Sequence, residues 1–218
     1  MNLVSWTKEM RFFNEKINNE EDGDIMKLVL ASSSKFKSEI LNKVYLKHET
    51  FNNDFDEDSV TKKDVYDYVK ELAYKKAKNI ENKVNNSIIL GLDTVVYTEN
   101  KIIEKPKTIE EARNNITLCK NNITKVITGI TLINQINRKI ITDYQETIVS
   151  LRDIDEIDID YYINNEPDVM YASGFIIETI MSNFIDEICG SYYNILGVPV
   201  EKIYEYLRSW NIHLKDLD

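Results

Sequence analysis

The segment from Ile88 to Pro106 constrains the fold more than any other, because it sets a carboxylate inside what otherwise looks like a buried strand. Ile88-Ile89-Leu90 is apolar, rich in β-branched residues and too short for a lone helix, which predicts a buried strand. Gly91 then loosens the strand, and Asp93 stands where the apolar run should continue. A carboxylate in that position is costly unless it is solvated, hydrogen-bonded or bound to a cation. Val95 and Tyr97 resume the alternation, Glu99-Asn100 fits a turn, and Lys101-Ile102-Ile103 fits a returning strand. Lys105-Pro106 closes the segment with a second charge that can lie near the first. Taken alone, these residues describe an ordinary surface hairpin equally well.

At 218 residues, one α/β domain is the simpler expectation, with residues 1–24 as a weakly structured acidic extension and 25–218 as the domain. No window approaches 18 uncharged apolar residues and no basic-then-apolar leader opens the chain, so neither a membrane span nor a secretory signal is expected. Two cysteines, Cys119 and Cys189, do not make a disulfide framework, and both are expected to be buried small hydrophobes. His48 and His213 cannot complete a usual four-ligand zinc site with two distant cysteines. The net charge of −10 opposes binding to a nucleic-acid backbone. A small anion can still bind where a few lysines converge or a divalent metal supplies charge.

Around the central segment, Lys27 to Ala31 predicts a strand, followed by Ser32-Ser33-Ser34 and a helix through Ile40, Leu41 and Val44. Strand, small polar loop and helix start offer backbone N–H groups to an anion, although serine N-caps explain the same residues. Lys35 and Lys37 sit in a first turn that is mildly unfavourable for cations, a conflict that a bound anion would relieve. His48 to Phe51 predicts a second strand, and Asp54 to Asp58 is an acidic cluster, either solvated or able to hold a hard cation. Lys62 to Lys83 predicts a long amphipathic helix with Lys76 in or beside its apolar stripe, pointing into a cleft or snorkelling to water. A capping box at Thr108 and Glu111 opens a further helix. Thr124 to Gln135 and Arg138 to Ser150 predict a hairpin, and Asp155 to Ile163 a helix. Phe184 to Ile188 predicts a strand, Gly190 to Asn194 a turn, and Val200 to Leu207 a final helix. This order predicts an α/β fold with a mixed sheet. Repeated asparagine pairs look like compositional bias.

From about Met26 to about Trp210 the chain resembles the Maf family of nucleoside triphosphate pyrophosphatases. The resemblance rests on five segments: Leu30-Ala31-Ser32-Ser33-Ser34, Asp56-Glu57, Leu72 to Ala77, Gly91 to Val96 with Lys105-Pro106 and Glu111-Ala112, and Gly190 to Pro199. It implies a mixed twisted sheet with flanking helices in two lobes around a cleft, similar to inosine triphosphate pyrophosphatase. It also implies hydrolysis of a nucleoside triphosphate to monophosphate and pyrophosphate with a divalent metal, Mg2+ or Mn2+. Members are cytoplasmic and often dimeric, so a cytoplasmic location is expected and a homodimer is compatible. Some members remove non-standard nucleotides, and some are linked to arrest of cell division.

On this resemblance Asp93 is the expected general base, with Glu57 and Asp93 holding the metal and Lys105 acting beside them. Ser32, Lys37 and Lys76 are the expected phosphate contacts. The opening loop departs from the family's S-P-R-R: Phe36 and Lys37 stand where arginines are usual, and lysine lacks the bidentate fork. Phe36, Thr94 and Glu178 are the expected specificity residues. An aromatic at Phe36, unless it is packed in the core, and a carboxylate at Glu178 resemble the 7-methyl-GTP branch, whereas Thr94 matches the uridine and thymidine type. Two against one, the sequence favours a modified purine, with dTTP/UTP hydrolysis or a non-catalytic nucleotide-binding division regulator as alternatives.

Overall fold

The computed structural model describes residues 26–62, 64–173 and 176–217, so the expected extension over residues 1–24 lies outside the described residues. Strands are β1 (Lys27–Ala31), β2 (Glu49–Phe51), β3 (Ser87–Thr98), β4 (Lys101–Ile103), β5 (Thr124–Asn134), β6 (Lys139–Leu151) and β7 (Ile185–Cys189). Helices are α1 (Lys35–Lys43), α2 (Val65–Ile80), α3 (Ile109–Lys120), α4 (Glu156–Asn165), α5 (Tyr192–Ile195) and α6 (Val200–Ser209). One mixed sheet runs in the order β2-β1-β3-β5-β6-β7, with β4 beside β3. The α/β architecture with a mixed sheet is the one the sequence predicts.

The period-2 alternation of β-strands divides the core. Leu28, Leu30, Ile88, Leu90, Leu92, Ile130 and Leu132 face α1 and α6, meeting Ile40, Leu41, Ile203 and Leu207. Val29, Ile89 and Ile133 point the other way and meet Ala77 and Ile80 of α2, while Val95 and Ile127 meet Val69 and Leu72. A separate core joins α3 to α4 through Ala112, Ile116, Ile159, Tyr162 and Ile163, which gives the second lobe its own apolar centre.

Gly91 does not interrupt β3, which runs unbroken through it. A Cβ at Gly91 would lie 2.1 Å from the Ala73 carbonyl oxygen, and one at Gly129 of β5 1.9 Å from that of Val69. Both glycines let the α2 backbone rest directly on the sheet. Two further expectations are corrected. Gly190 to Asn194 is not a simple turn: Ser191 accepts from the Asn194 N–H and caps α5. Cys189 is exposed, unlike buried Cys119, because β7 is the last strand of the sheet.

β5 pairs with β3 from Ile88 to Tyr97. β1 and β4 therefore share the opposite edge, β1 ending at Leu90 and β4 beginning at Val96. Between them, Gly91 to Val95 have no neighbouring strand on that edge among the described residues. This gap in the sheet is where Asp93 and the residues that reach it collect.

Candidate active site

Asp93 lies in the gap and, as an odd-numbered residue of β3, projects onto the α2 side. It is 7% exposed. The Lys76 ammonium donates to Asp93 Oδ1 at 2.5 Å and reaches Glu57 Oε1 at 2.7 Å. Close seating of α2 on Gly91 places Lys76, one residue before Ala77, directly over the strand. The Lys76 side chain is 13% exposed, so it points into the cleft and does not snorkel outward. Burial pulls its pKa down, but Asp93 and then Glu57 outweigh that, and the net shift is upward. Lys76 remains charged.

Within the acidic cluster the roles are divided. Asp54 accepts from Asn79 and Lys83, Asp56 caps the Asp58 N–H, and Glu57 turns inward from a 3-10 turn (Glu57–Ser59). Asn53 fixes this arrangement: its Nδ2 donates to the Lys76 carbonyl at 2.6 Å and its Oδ1 accepts from the Phe55 N–H at 2.8 Å. Nothing in the sequence marks Asn53 for that role, because it looks like one of many repeated asparagines.

On the other side of the sheet, Ser34 caps α1 by accepting from the Lys37 N–H, and Ser32 Oγ accepts from the Ser34 N–H at 3.1 Å. Lys37 then runs inward. Its Nζ donates to the Leu92 carbonyl at 3.2 Å, a group that the gap leaves without a neighbouring strand. The residue as a whole is half-buried, but its ammonium is enclosed. Burial pushes its pKa down to about 8 against Asp93, which raises it; Lys76, Glu57 and Lys105 exert smaller effects of alternating sign. Lys37, Glu57, Lys76, Asp93 and Lys105 therefore share one electrostatic neighbourhood. Lys105 is exposed at its rim and makes no ion pair among the described residues.

Thr94 Oγ1 lies 3.0 Å from Thr128 Oγ1, and Thr128 also reaches the Asn194 carbonyl at 3.4 Å. Asn194 is fully buried and ties α5 to the sheet by donating to the Val126 carbonyl and Thr147 Oγ1. Gly197 adopts φ +78°, and a Cβ there would sit 2.9 Å from Thr94 Oγ1 and 3.3 Å from Lys37 Cε. Thr128, Asn194 and Gly197 thus form the wall against which Thr94 and Lys37 rest. The closing segment belonged to the resemblance, but this function of its residues was not legible.

Of the expected specificity residues, only Thr94 is bound into this wall. Phe36 is 42% exposed and so is not a packed core residue. Glu178 is exposed and lies beside Tyr192, whose hydroxyl pKa is raised first by burial and then by Glu178.

Among the described residues no group of three or more His, Cys, Asp or Glu converges on a point. The Asp93 and Glu57 pair does fit a hard divalent cation of the kind that takes one or two carboxylates and completes its shell with phosphate oxygens and water. Each carboxylate has a second oxygen that Lys76 does not engage. Two shallow hollows flank the β3–β4 hairpin, one reaching Lys105, but neither is lined by Asp93 or Lys76. No described helix is long and apolar enough to cross a membrane.

A family model described as Maf-like protein matches residues 27–210. A protein of Clostridium perfringens (strain SM101 / Type A) named dTTP/UTP pyrophosphatase is 35% identical over 189 residues, covering 86% of this chain and 98% of the relative. Relatives of the same name are 32% identical in Clostridium kluyveri, covering 87% of this chain and 100% of theirs, and 33% identical in Alkaliphilus oremlandii, covering 84% and 95%. Among solved structures, the Ham1 protein of Staphylococcus aureus is similar over 58% of this chain and 72% of its own, at 13% identity and a TM-score of 0.41.

Proposed function

The chain belongs to the Maf family, and on that premise we propose that it is a nucleoside triphosphate pyrophosphatase acting on dTTP and UTP. The carrying observation is the convergence of Asp93, Glu57, Lys76, Lys37 and Lys105 at the gap in the sheet. Two carboxylates among three lysines suit a site that handles a polyanion and a proton together. The local field is positive although the chain carries a net charge of −10.

In this reading water attacks the α-phosphorus. A bond forms between the water oxygen and that phosphorus, the bridging bond to the β-phosphate breaks, and pyrophosphate departs with the electron pair. Asp93 takes the proton released by the water. Before substrate enters, Lys76 donates to Asp93 Oδ1 and orients that carboxylate. Lys37 and Lys105 neutralise charge as it moves onto the leaving pyrophosphate. Ser32 and the first backbone N–H groups of α1 bind a phosphate oxygen. A divalent cation held by Asp93 and Glu57 with the phosphates would supply further charge neutralisation.

The substrate reading departs from the 7-methyl-GTP preference that two of three specificity positions suggest. The relatives named dTTP/UTP pyrophosphatase support the alternative. Thr94, half-buried, also rests against the wall and bonds to buried Thr128, whereas Phe36 and Glu178 stand exposed. The test is pyrophosphate release from dTTP, UTP, CTP, ITP and 7-methyl-GTP with magnesium at neutral pH. Highest kcat/KM for dTTP or UTP is expected. Preference for 7-methyl-GTP would return specificity to Phe36 and Glu178. Binding without turnover would make the protein a nucleotide sensor.

A further inference from the structure

Lys76 occupies an unusual place for a phosphate-binding lysine. Its ammonium stands between the two carboxylates assigned to the cation, at 2.5 Å from Asp93 Oδ1 and 2.7 Å from Glu57 Oε1. The same residue is held at its other end, where its carbonyl accepts from Asn53 Nδ2 at 2.6 Å. Asn53 also turns the chain that carries Glu57, so Lys76 fastens the loop to the helix at two points, beside the Asn79 contacts to Asn53 and Asp54. Asp93 is buried, and Glu57, although exposed, reaches the same ammonium, so two like-charged carboxylates share one countercharge. The ammonium offsets their repulsion without a metal.

We propose that Lys76 holds the place of the divalent cation in the nucleotide-free protein and passes to the phosphates when a metal-bound nucleotide enters. This rests on the pyrophosphatase reading for the identity of the nucleotide, but not for the exchange itself. A divalent ion arriving alone meets Lys76 between its ligands and Lys37 close by, so like charges oppose its entry. A triphosphate arriving with the ion offers Lys76 new anionic partners, and the carboxylates are released to the metal. Metal and nucleotide then raise each other's affinity by the same factor. Free-metal affinity is kept low, and Asp93 and Glu57 keep a countercharge before substrate arrives.

The test measures Mn2+ binding to the whole chain without nucleotide, by the electron paramagnetic resonance signal of unbound Mn2+. Wild type, Lys76→Met and Lys76→Gln are compared. Both variants are expected to bind one Mn2+ at least about tenfold more tightly than wild type, a change of about 1.4 kcal/mol. Adding Asp93→Asn to Lys76→Met is expected to abolish the gain. Affinity equal to or weaker than wild type in both variants overturns the proposal. Should Lys76→Met fail to fold without metal, Mn2+ is expected to restore its cooperative melting transition, and no response to Mn2+ overturns the proposal equally. Because no turnover is measured, loss of the pyrophosphatase reading would appear only in the nucleotide panel, and loss of this one only in the metal titration.

Discussion

Replacing Lys37 with Met should stabilise the protein while disabling it. The drop of the Lys37 pKa from 10.5 to about 8 corresponds to roughly 3 kcal/mol of destabilisation by the buried charge. Methionine keeps the length and removes the charge, but it forfeits the hydrogen bond to the Leu92 carbonyl, worth about 1 kcal/mol. A net gain of about 2 kcal/mol is expected at pH 7. The pH dependence has a definite sign. Below about pH 8 the lysine is protonated in both states and the full penalty applies. Between about 8 and 10.5 the folded state has shed its proton while the unfolded chain keeps one, so wild-type stability rises with pH. The advantage of Lys37→Met should therefore be greatest at pH 7 and shrink as the pH approaches 10.5. Urea denaturation of both proteins at pH 7 and at pH 9.5, followed by circular dichroism and fluorescence, measures it. A variant less stable than wild type at pH 7, or an advantage that does not shrink, refutes the reasoning. For activity, kcat/KM of the wild type should fall above about pH 8 as the free enzyme loses this charge, and Lys37→Met should lose that limb of the profile.

Asp93→Asn should lower pyrophosphate release by ~10²–10⁴-fold while leaving a native circular dichroism spectrum, and near-normal turnover would remove Asp93 as the base. Gly129→Ala should cost about 3 kcal/mol in urea denaturation, because its Cβ would fall 1.9 Å from the Val69 carbonyl oxygen and 2.3 Å from its carbon. An unchanged midpoint would mean that α2 does not rest on the sheet as described.

Much of this arrangement is legible in the chain because it depends on local pattern. The β3–β4 hairpin, with its turn at Glu99-Asn100, follows from alternation and turn residues, and Asp93 stands out by breaking the first. Lys76 is suspect because it borders the apolar stripe of α2. What could not be read depends on contacts between distant segments. Gly91 looks like a residue that loosens the strand until the Ala73 carbonyl is found above it. Glu57 cannot be told from Asp54, Asp56 and Asp58 by sequence, since capping and the Asn79 contact decide which carboxylate turns inward. Asn53, Thr128 and Asn194 are ordinary polar residues whose importance arises only from partners 23, 66 and 68 positions away. The gap at Gly91 to Val95 is likewise a property of pairing register, which no single strand reveals.

The most direct measurement is hydrolysis of dTTP in water enriched in oxygen-18, with the products separated and weighed by mass spectrometry. Attack at the α-phosphorus beside Asp93 predicts one labelled oxygen in dTMP and none in the pyrophosphate. Label in pyrophosphate, or release of orthophosphate in its place, would contradict the account.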